Sequence, residues 1–216
     1  IVVSGGPMAT GYYKDKTADY STCIEQIAAY KLGEKNEEEM EAYAHAACPS
    51  CGSCAGMFTA NSMNCLSEVL GLALPYNGTI PSYYGDRIAL AKMAGERSVD
   101  LVKEDIRPRD IVTEEAFKNA IVVDMAIAGS TNTTLHLPAI AHECGLELSL
   151  EKFDEISKKT PNLCHISPSG YKFMFDLHMA GGIPAVMHEL DKKGLLNNTL
   201  KNINGKTIKE NIEGKA

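Results

Sequence analysis

Tryptophan is absent from these 216 residues, and aromatic side chains of any kind make up only 6% of them. No apolar run reaches the roughly 18 residues that a membrane-spanning helix needs, so no membrane partner is expected. Basic residues number 21 against 28 acidic ones, a net charge of −7 that argues against a nucleic-acid surface. Internal repeats and low-complexity segments are missing too. Seven cysteines, an odd number with no signal-peptide pattern ahead of them, point to a reducing, cytoplasmic setting rather than to disulfides. What is present is ordinary for a globular chain: 44% hydrophobic and 23% charged residues, enough for one large domain or two small ones.

The chain opens on Ile1, Val2 and Val3, which read as a buried strand running into the turn Ser4-Gly5-Gly6-Pro7. A start in mid-strand without Met is expected of an internal piece of a longer protein. An irregular polar stretch leads to about Asp19, with Lys14-Asp15-Lys16 as a solvated turn. Helices are expected over 22–32 and 36–48, the second with a solvated acidic start at Glu37, Glu38, Glu39 and Glu41 that suits a helix N-terminus. A helix from about Gly56 to Gly71 carries apolar residues on overlapping faces, which implies burial nearly all round. Leu74-Pro75-Tyr76-Asn77-Gly78-Thr79 reads as a turn. Further helices are expected over 84–103, from an N-cap at Thr113 to Ala128, over 133–144, near 150–158, after Pro168-Ser169-Gly170, and from Gly181-Gly182 to about Gly194. A short strand is expected around Thr160–Ile166. The fold class is α/β: a helix-rich layered domain over 1–196 with a small, mostly parallel sheet, followed by a polar, partly ordered tail over 197–216. Four glycine-bearing breaks each precede a helix: Ser4-Gly5-Gly6-Pro7, the cysteine loop, Gly129-Ser130-Thr131-Asn132 and Gly181-Gly182. Were their helix N-termini to gather at one sheet edge, they would suit a carboxylate substrate.

The cysteine loop holds the most chemistry. Cys48, Cys51 and Cys54 follow at three-residue spacing among Gly, Ser and Ala, directly ahead of a helix. Small neighbours let backbone approach a bulky inorganic cluster, and a helix N-terminus favours the thiolate. A bacterial ferredoxin run would need a further cysteine where Phe58 stands. A zinc site would need a second ligand pair, for which only His45 is near. A redox Cys-x-x-Cys stays open, as does a cluster whose other ligands come from elsewhere. Cys23, Cys65, Cys144 and Cys164 sit in apolar patterning and read as core packing.

Residues 51–68, from Cys51-Gly52-Ser53-Cys54-Ala55-Gly56-Met57 through Thr59-Ala60-Asn61 to Glu68, then Leu70-Gly71-Leu72 and Leu74-Pro75, closely resemble the cluster-binding segment of the dihydroxy-acid and phosphogluconate dehydratase family. Val3-Ser4-Gly5-Gly6-Pro7-Met8 resembles the strand and turn after that family's Cys-Asp-Lys motif. Gly129-Ser130-Thr131-Asn132 resembles its Gly-Gly-Ser-Thr-Asn segment, with Ala128 in place of the first Gly. Thr160-Pro161-Asn162-Leu163-Cys164, Pro168-Ser169-Gly170 and Ala180-Gly181-Gly182-Ile183-Pro184 also fit, in order.

The resemblance implies a piece of the N-terminal domain of a hydro-lyase that removes water from a 2,3-dihydroxy acid to give a 2-oxo acid. The dihydroxy-acid enzyme serves branched-chain amino-acid synthesis; a phosphogluconate or sugar-acid dehydratase is the alternative within the family. The implied cofactors are an iron–sulfur cluster, [2Fe-2S] or [4Fe-4S], whose iron assists loss of hydroxide, and Mg2+ at the carboxylate. Cys54 matches the family's cluster cysteine, with Cys51 and Cys48 as secondary candidates, and Ser130, Thr131 and Asn132 either line the substrate site or cap the next helix. The base and the Mg2+ ligands match nothing here, since Cys-Asp-Lys and Ser-Asp-Gly-Arg motifs are missing. The implied assembly is a homodimer or larger, and the piece alone is expected to be inactive, possibly without any metal. A reading of another class is a folded, non-catalytic module. His136 reads as a core or supporting residue, and His45, His142, His165, His178 and His188 show no ligand spacing.

Overall fold

The computed structural model describes residues 1–215. Its only named sheet among them is a hairpin of β1 (Gly11–Tyr13) and β2 (Lys16–Ala18), antiparallel with Tyr13 opposite Lys16. This corrects the expectation of a mostly parallel sheet. The Lys14-Asp15 turn proves to be the tip of the hairpin, with Lys14 at a φ of 53°. The opening Ile1-Val2-Val3 is no buried strand either: all three side chains are exposed, and the Val2 N–H donates to the Leu72 carbonyl at 2.8 Å. A β-branched run becomes a strand only where a partner completes its ladder. Around 166, one parallel bridge between Ile166 and Lys172 stands where a strand was expected.

Helices make the rest. α1 (Tyr20–Lys31) and α2 (Glu37–Ala47) each begin with a capping box, Asp19 with Thr22 and Asn36 with Glu39. They pack on each other, and α2 also packs on the hairpin. A small cluster of Ala18, Tyr43 and Ala47, backed by Tyr13 and Cys23, holds this lobe.

α3 (Thr59–Val69) and α6 (Glu114–Ala126) run through the main core. Seven residues of α3 and nine of α6 are buried, so both helices are covered on nearly every face. Between them, α4 (Gly85–Lys103) and the single turn α5 (Pro108–Ile111) enclose a second cluster around Leu90, Ala94, Leu101 and Ile111. α7 (Thr133–Glu143), α8 (Leu150–Ser157), α9 (Met174–Met179) and α10 (Gly182–Asp191) complete the layers. α7, α8 and α10 pack on α6, and α7 and α10 also touch α3. Ile121-Val122-Val123 in α6 would favour a strand by propensity, but burial among helices overrides that preference.

The polar tail folds back onto this core as far as it is described; its last residue, Ala216, lies outside the described residues. Ile203, Ile208 and Ile212 are buried, and α11 (Ile208–Ile212) starts on a Thr207–Glu210 capping box. The Ile203 N–H donates to the Gly71 carbonyl at 3.0 Å, and Asn202 reaches the Glu68 carbonyl at 3.3 Å. Three isoleucines spaced through a polar segment supply enough apolar surface to anchor it.

Candidate functional site

The loop from Cys48 to Phe58 links the end of α2 to the start of α3 and is fastened on three sides. On the first side it lies beside the Ser4–Pro7 turn: the Ser53 N–H donates to Gly6 at 2.9 Å, and Met8 donates back to the Ser53 carbonyl at 2.8 Å. This approach needs glycine at 52, where a Cβ would sit 2.7 Å from the Gly6 oxygen and the Met8 nitrogen, at a φ of 123°. Ser82 joins both segments, its N–H on the Pro7 carbonyl and its hydroxyl on the Cys51 carbonyl. On the second side, Met57 donates to the Ser167 carbonyl at 2.7 Å and Met174 to the Ala55 carbonyl at 2.8 Å.

The third fastening comes from within. Asn61, fully buried in the first turn of α3, donates to the carbonyls of Cys54 and Gly56 and accepts from the Ser53 hydroxyl at 2.6 Å. One carboxamide thereby holds the Cys54 carbonyl, the backbone after it at Gly56 and the Ser53 side chain before it. Sequence reasoning missed this role, although the Thr59-Ala60-Asn61 segment marked the residue.

Cys54 is half-buried, while Cys48 and Cys51 are exposed. Burial raises the Cys54 thiol above its ordinary range, and the nearby Cys48 and Asp19 push the same way, against the Cys54 backbone N–H. The expected pull towards thiolate from the helix N-terminus does not prevail, because α3 begins only at Thr59. Asp19 is the second residue not foreseen. Buried beneath the loop, it caps α1 and also receives the Ser167 hydroxyl at 2.5 Å.

The Gly129–Asn132 break reaches the same place. The Ser130 N–H donates to the Ser62 hydroxyl at 2.9 Å, its own hydroxyl lies 3.3 Å from that of Thr59, and Asn132 donates to Thr59 at 2.6 Å. Asn132 stands at the N-cap of α7, yet its side chain makes no capping bond and turns to α3 instead. Thr131 is exposed and only its carbonyl is engaged, by the Thr134 hydroxyl. Beneath the break lies Asp124, 1% exposed, a charged residue in an otherwise apolar run and legible as such. Burial raises its carboxyl to about 6, opposed by the Thr133 hydroxyl.

Three of the four glycine breaks thus meet around the first turn of α3. The fourth does not. Gly182 packs on Tyr76 and Thr79, and the Tyr76 and Gly78 amides bind Glu68, near the far end of α3. Nine residues of helix, about 13 Å, separate the two ends.

Nearly the whole chain, residues 1–211, matches the family model described as dihydroxy-acid/6-phosphogluconate dehydratase N-terminal. The chain belongs to this family. It is 56% identical over 213 residues to a dihydroxy-acid dehydratase of Acetivibrio thermocellus, and 57% identical over 213 residues to one of Caldicellulosiruptor bescii. In both cases 99% of this chain is covered, and 38% and 39% of the relatives' own lengths. The chain therefore spans under two fifths of these relatives.

The family implies an iron–sulfur cluster, which needs several thiolates converging on one point. Among the described residues no group of three or more His, Cys, Asp or Glu side chains is placed to hold a metal ion. The donors of this chain do not by themselves fit a cluster; they offer Cys54 as a positioned, half-buried thiol. His45, a conceivable zinc partner, points to solvent beside Glu41. Cys65 is fully buried, and Cys144 and Cys164 pack against the main core, where apolar patterning put them. No helix among the described residues is long and apolar enough to cross a membrane.

Proposed function

We propose that the chain is part of a hydro-lyase that dehydrates a 2,3-dihydroxy acid to a 2-oxo acid, in branched-chain amino-acid synthesis in the cytoplasm. The observation that carries this reading is the fastening of the Cys54 loop by Asn61 and the Ser4–Pro7 turn, with the Ser130 turn tied to the adjoining start of α3, in a chain more than half identical to dihydroxy-acid dehydratases. In the reading, Cys54, half-buried, is the one ligand this chain contributes to a cluster, with the exposed Cys51 and Cys48 as secondary candidates. A cluster completed by donors outside this chain would supply Lewis acidity towards the leaving hydroxyl, and Mg2+ would supply positive charge at the carboxylate.

What this chain's own residues do is position and shield. Asn61 holds the Cys54 and Gly56 carbonyls and the Ser53 hydroxyl, fixing the loop around Cys54. Ser130 and Asn132, tied to Thr59, place hydroxyl and amide groups beside the loop, suited to the oxygens of a polyhydroxy acid. The assembly is a homodimer or larger, and the chain alone, with one thiol of the cluster set, is inactive.

The test is turnover of 2,3-dihydroxyisovalerate against 6-phosphogluconate by the full-length enzyme that contains this segment. Formation of 2-oxo acid from the first supports the reading; turnover of the second alone overturns it. In that enzyme Cys54→Ser abolishes cluster absorbance, whereas Cys65→Ser lowers stability and keeps the cluster. Equal loss in both, or a stoichiometric cluster on the 216 residues alone, contradicts the assignment of Cys54 as a single donor.

A further inference from the structure

The Thr133 hydroxyl lies between two oxygens, Asp124 Oδ2 at 2.7 Å and the Ser130 carbonyl at 2.8 Å. A hydroxyl has one hydrogen to give, and a carbonyl has none. The one hydrogen is either shared between the two acceptors, as the Ser53 hydroxyl shares its own between Gly6 and Asn61, or each contact is a full bond, with a protonated Asp124 donating to Thr133 and Thr133 donating to Ser130. The second carboxyl oxygen, Oδ1, is buried with no donor, and a Cβ at residue 129 would overlap it, so Gly129 presses its backbone directly onto this oxygen. A buried carboxylate would require partners there; a neutral acid does not.

We propose that Asp124, in its protonated form, is the positioning residue of the Gly129–Asn132 loop, acting through Thr133 on the Ser130 carbonyl, and that its ionisation releases that loop. Losing the proton turns Asp124 into a pure acceptor, which draws the Thr133 hydroxyl hydrogen away from Ser130, leaves that carbonyl with the Thr133 N–H at 3.0 Å alone, and sets a charge against the Gly129 backbone. The loop concerned is the one that presents Ser130 and Asn132 to Thr59.

The surroundings of Asp124 leave it without a charged partner. From α3 the nearest ionisable group is the buried Cys65 thiol, which itself feels Asp124, Glu68 and Cys164. From α7 the contact is the neutral Thr133; His136 lies one turn further on. α8 and α10 turn Phe153, Ile183, Val186 and Met187 to this core. On α6 itself, Glu114, Glu115 and Lys118 stand in the first turns, away from Asp124. Burial therefore dominates, opposed by Thr133 alone, and the carboxyl titrates at about 6 in place of 3.8. The sign follows: the folded chain holds this proton more tightly than the unfolded one. The contribution is complete in acid and is lost as pH rises through 6.

The test is amide hydrogen exchange over residues 128–136 of the full chain, corrected for intrinsic rates, at pH 5 and pH 8, with thermal melting alongside. Wild-type protection falls about tenfold between the two, the part lying above pH 5 of the roughly hundredfold that the shift from 3.8 to about 6 allows. Asp124→Asn, whose amide donates to Thr133 and cannot ionise, keeps the acid-side protection at both pH values and melts a few degrees above wild type at pH 8. Thr133→Val loses protection at both pH values, and Thr133→Ser restores it. The proposal is overturned by pH-independent wild-type protection, by loss of protection in Asp124→Asn, or by unchanged protection in Thr133→Val. If Asp124→Asn does not fold, the wild-type profile and the Thr133 pair decide. The bearing on catalysis rests on the reading of this loop as substrate-lining. None of these measurements needs turnover, so failure of the relay and failure of the dehydratase reading are told apart.

Discussion

Two regions of this molecule meet at Cys54 and are built on opposite principles. Behind α3 and α6 lies a core of aliphatic side chains in which Leu66, Ile121 and Ile127 are sealed from water. The hydrophobic cluster of the hairpin, α1 and α2 has three buried side chains, two of them alanines, and α1 buries no residue fully, leaving Tyr20, Ile24 and Ile27 exposed. Apolar burial holds the first region; caps, one tilted aromatic pair of Tyr13 and Tyr43 at 5.1 Å, and the Asp19–Ser167 bond hold the second. The Cys54 loop is anchored to the core side by Asn61 and Met57, and the lobe shields it from the other. A site with one rigid wall and one wall held by a few polar contacts has a natural place to open.

The contrast can be broken most severely from the core. Leu66→Ala, at a fully buried position, is expected to cost about 2–5 kcal/mol through lost transfer energy and a cavity. Denaturant unfolding should show it as a global loss, with hairpin and core melting together. A smaller and more local effect is expected in the lobe. Asp19→Ala removes both the cap of α1 and the acceptor for Ser167, at about 2 kcal/mol. Its signature is faster amide exchange in α1 while α6 stays protected; equal loosening of both helices would mean that the two regions are not separable. The smallest effect is a gain. Ala128 sits at a φ of 51°, a left-handed conformation that suits glycine. Ala128→Gly should stabilise the chain by about 1 kcal/mol or less, read as a small rise in melting temperature. No gain would show that strain at this turn is already relieved by its neighbours.

Much of the helical order was legible because local signals agree with burial. Asp19 and Thr22, Thr113, and the Gly181–Pro184 entry mark helix starts within a residue or two of where they stand. The hairpin was not legible. Gly11–Ala18 is short and polar, and its strands are stabilised mainly by each other and by α2 behind them. The tail was misjudged for the same kind of reason. Ile208 and Ile212 make a single i, i+4 pair on the short α11 and Ile203 stands apart from it, too little pattern to predict burial, so their common burial shows only once Gly71 and Glu68 are placed beneath them.

By itself the amino-acid order determined the family and most of the helices, and singled out the cysteine loop, because these depend on local chemistry and on motifs that read along the chain. Tertiary structure alone decided that three glycine breaks converge and the fourth does not, and that Asn61 grips the Cys54 and Gly56 carbonyls and the Ser53 hydroxyl. It alone set a protonatable aspartate under the Ser130 turn. Hydrogen bonds between residues 68 or 148 positions apart, such as Ser130 to Ser62 and Ser167 to Asp19, leave no periodicity to read. They form only when packing brings their partners together, and packing is a property of the whole chain.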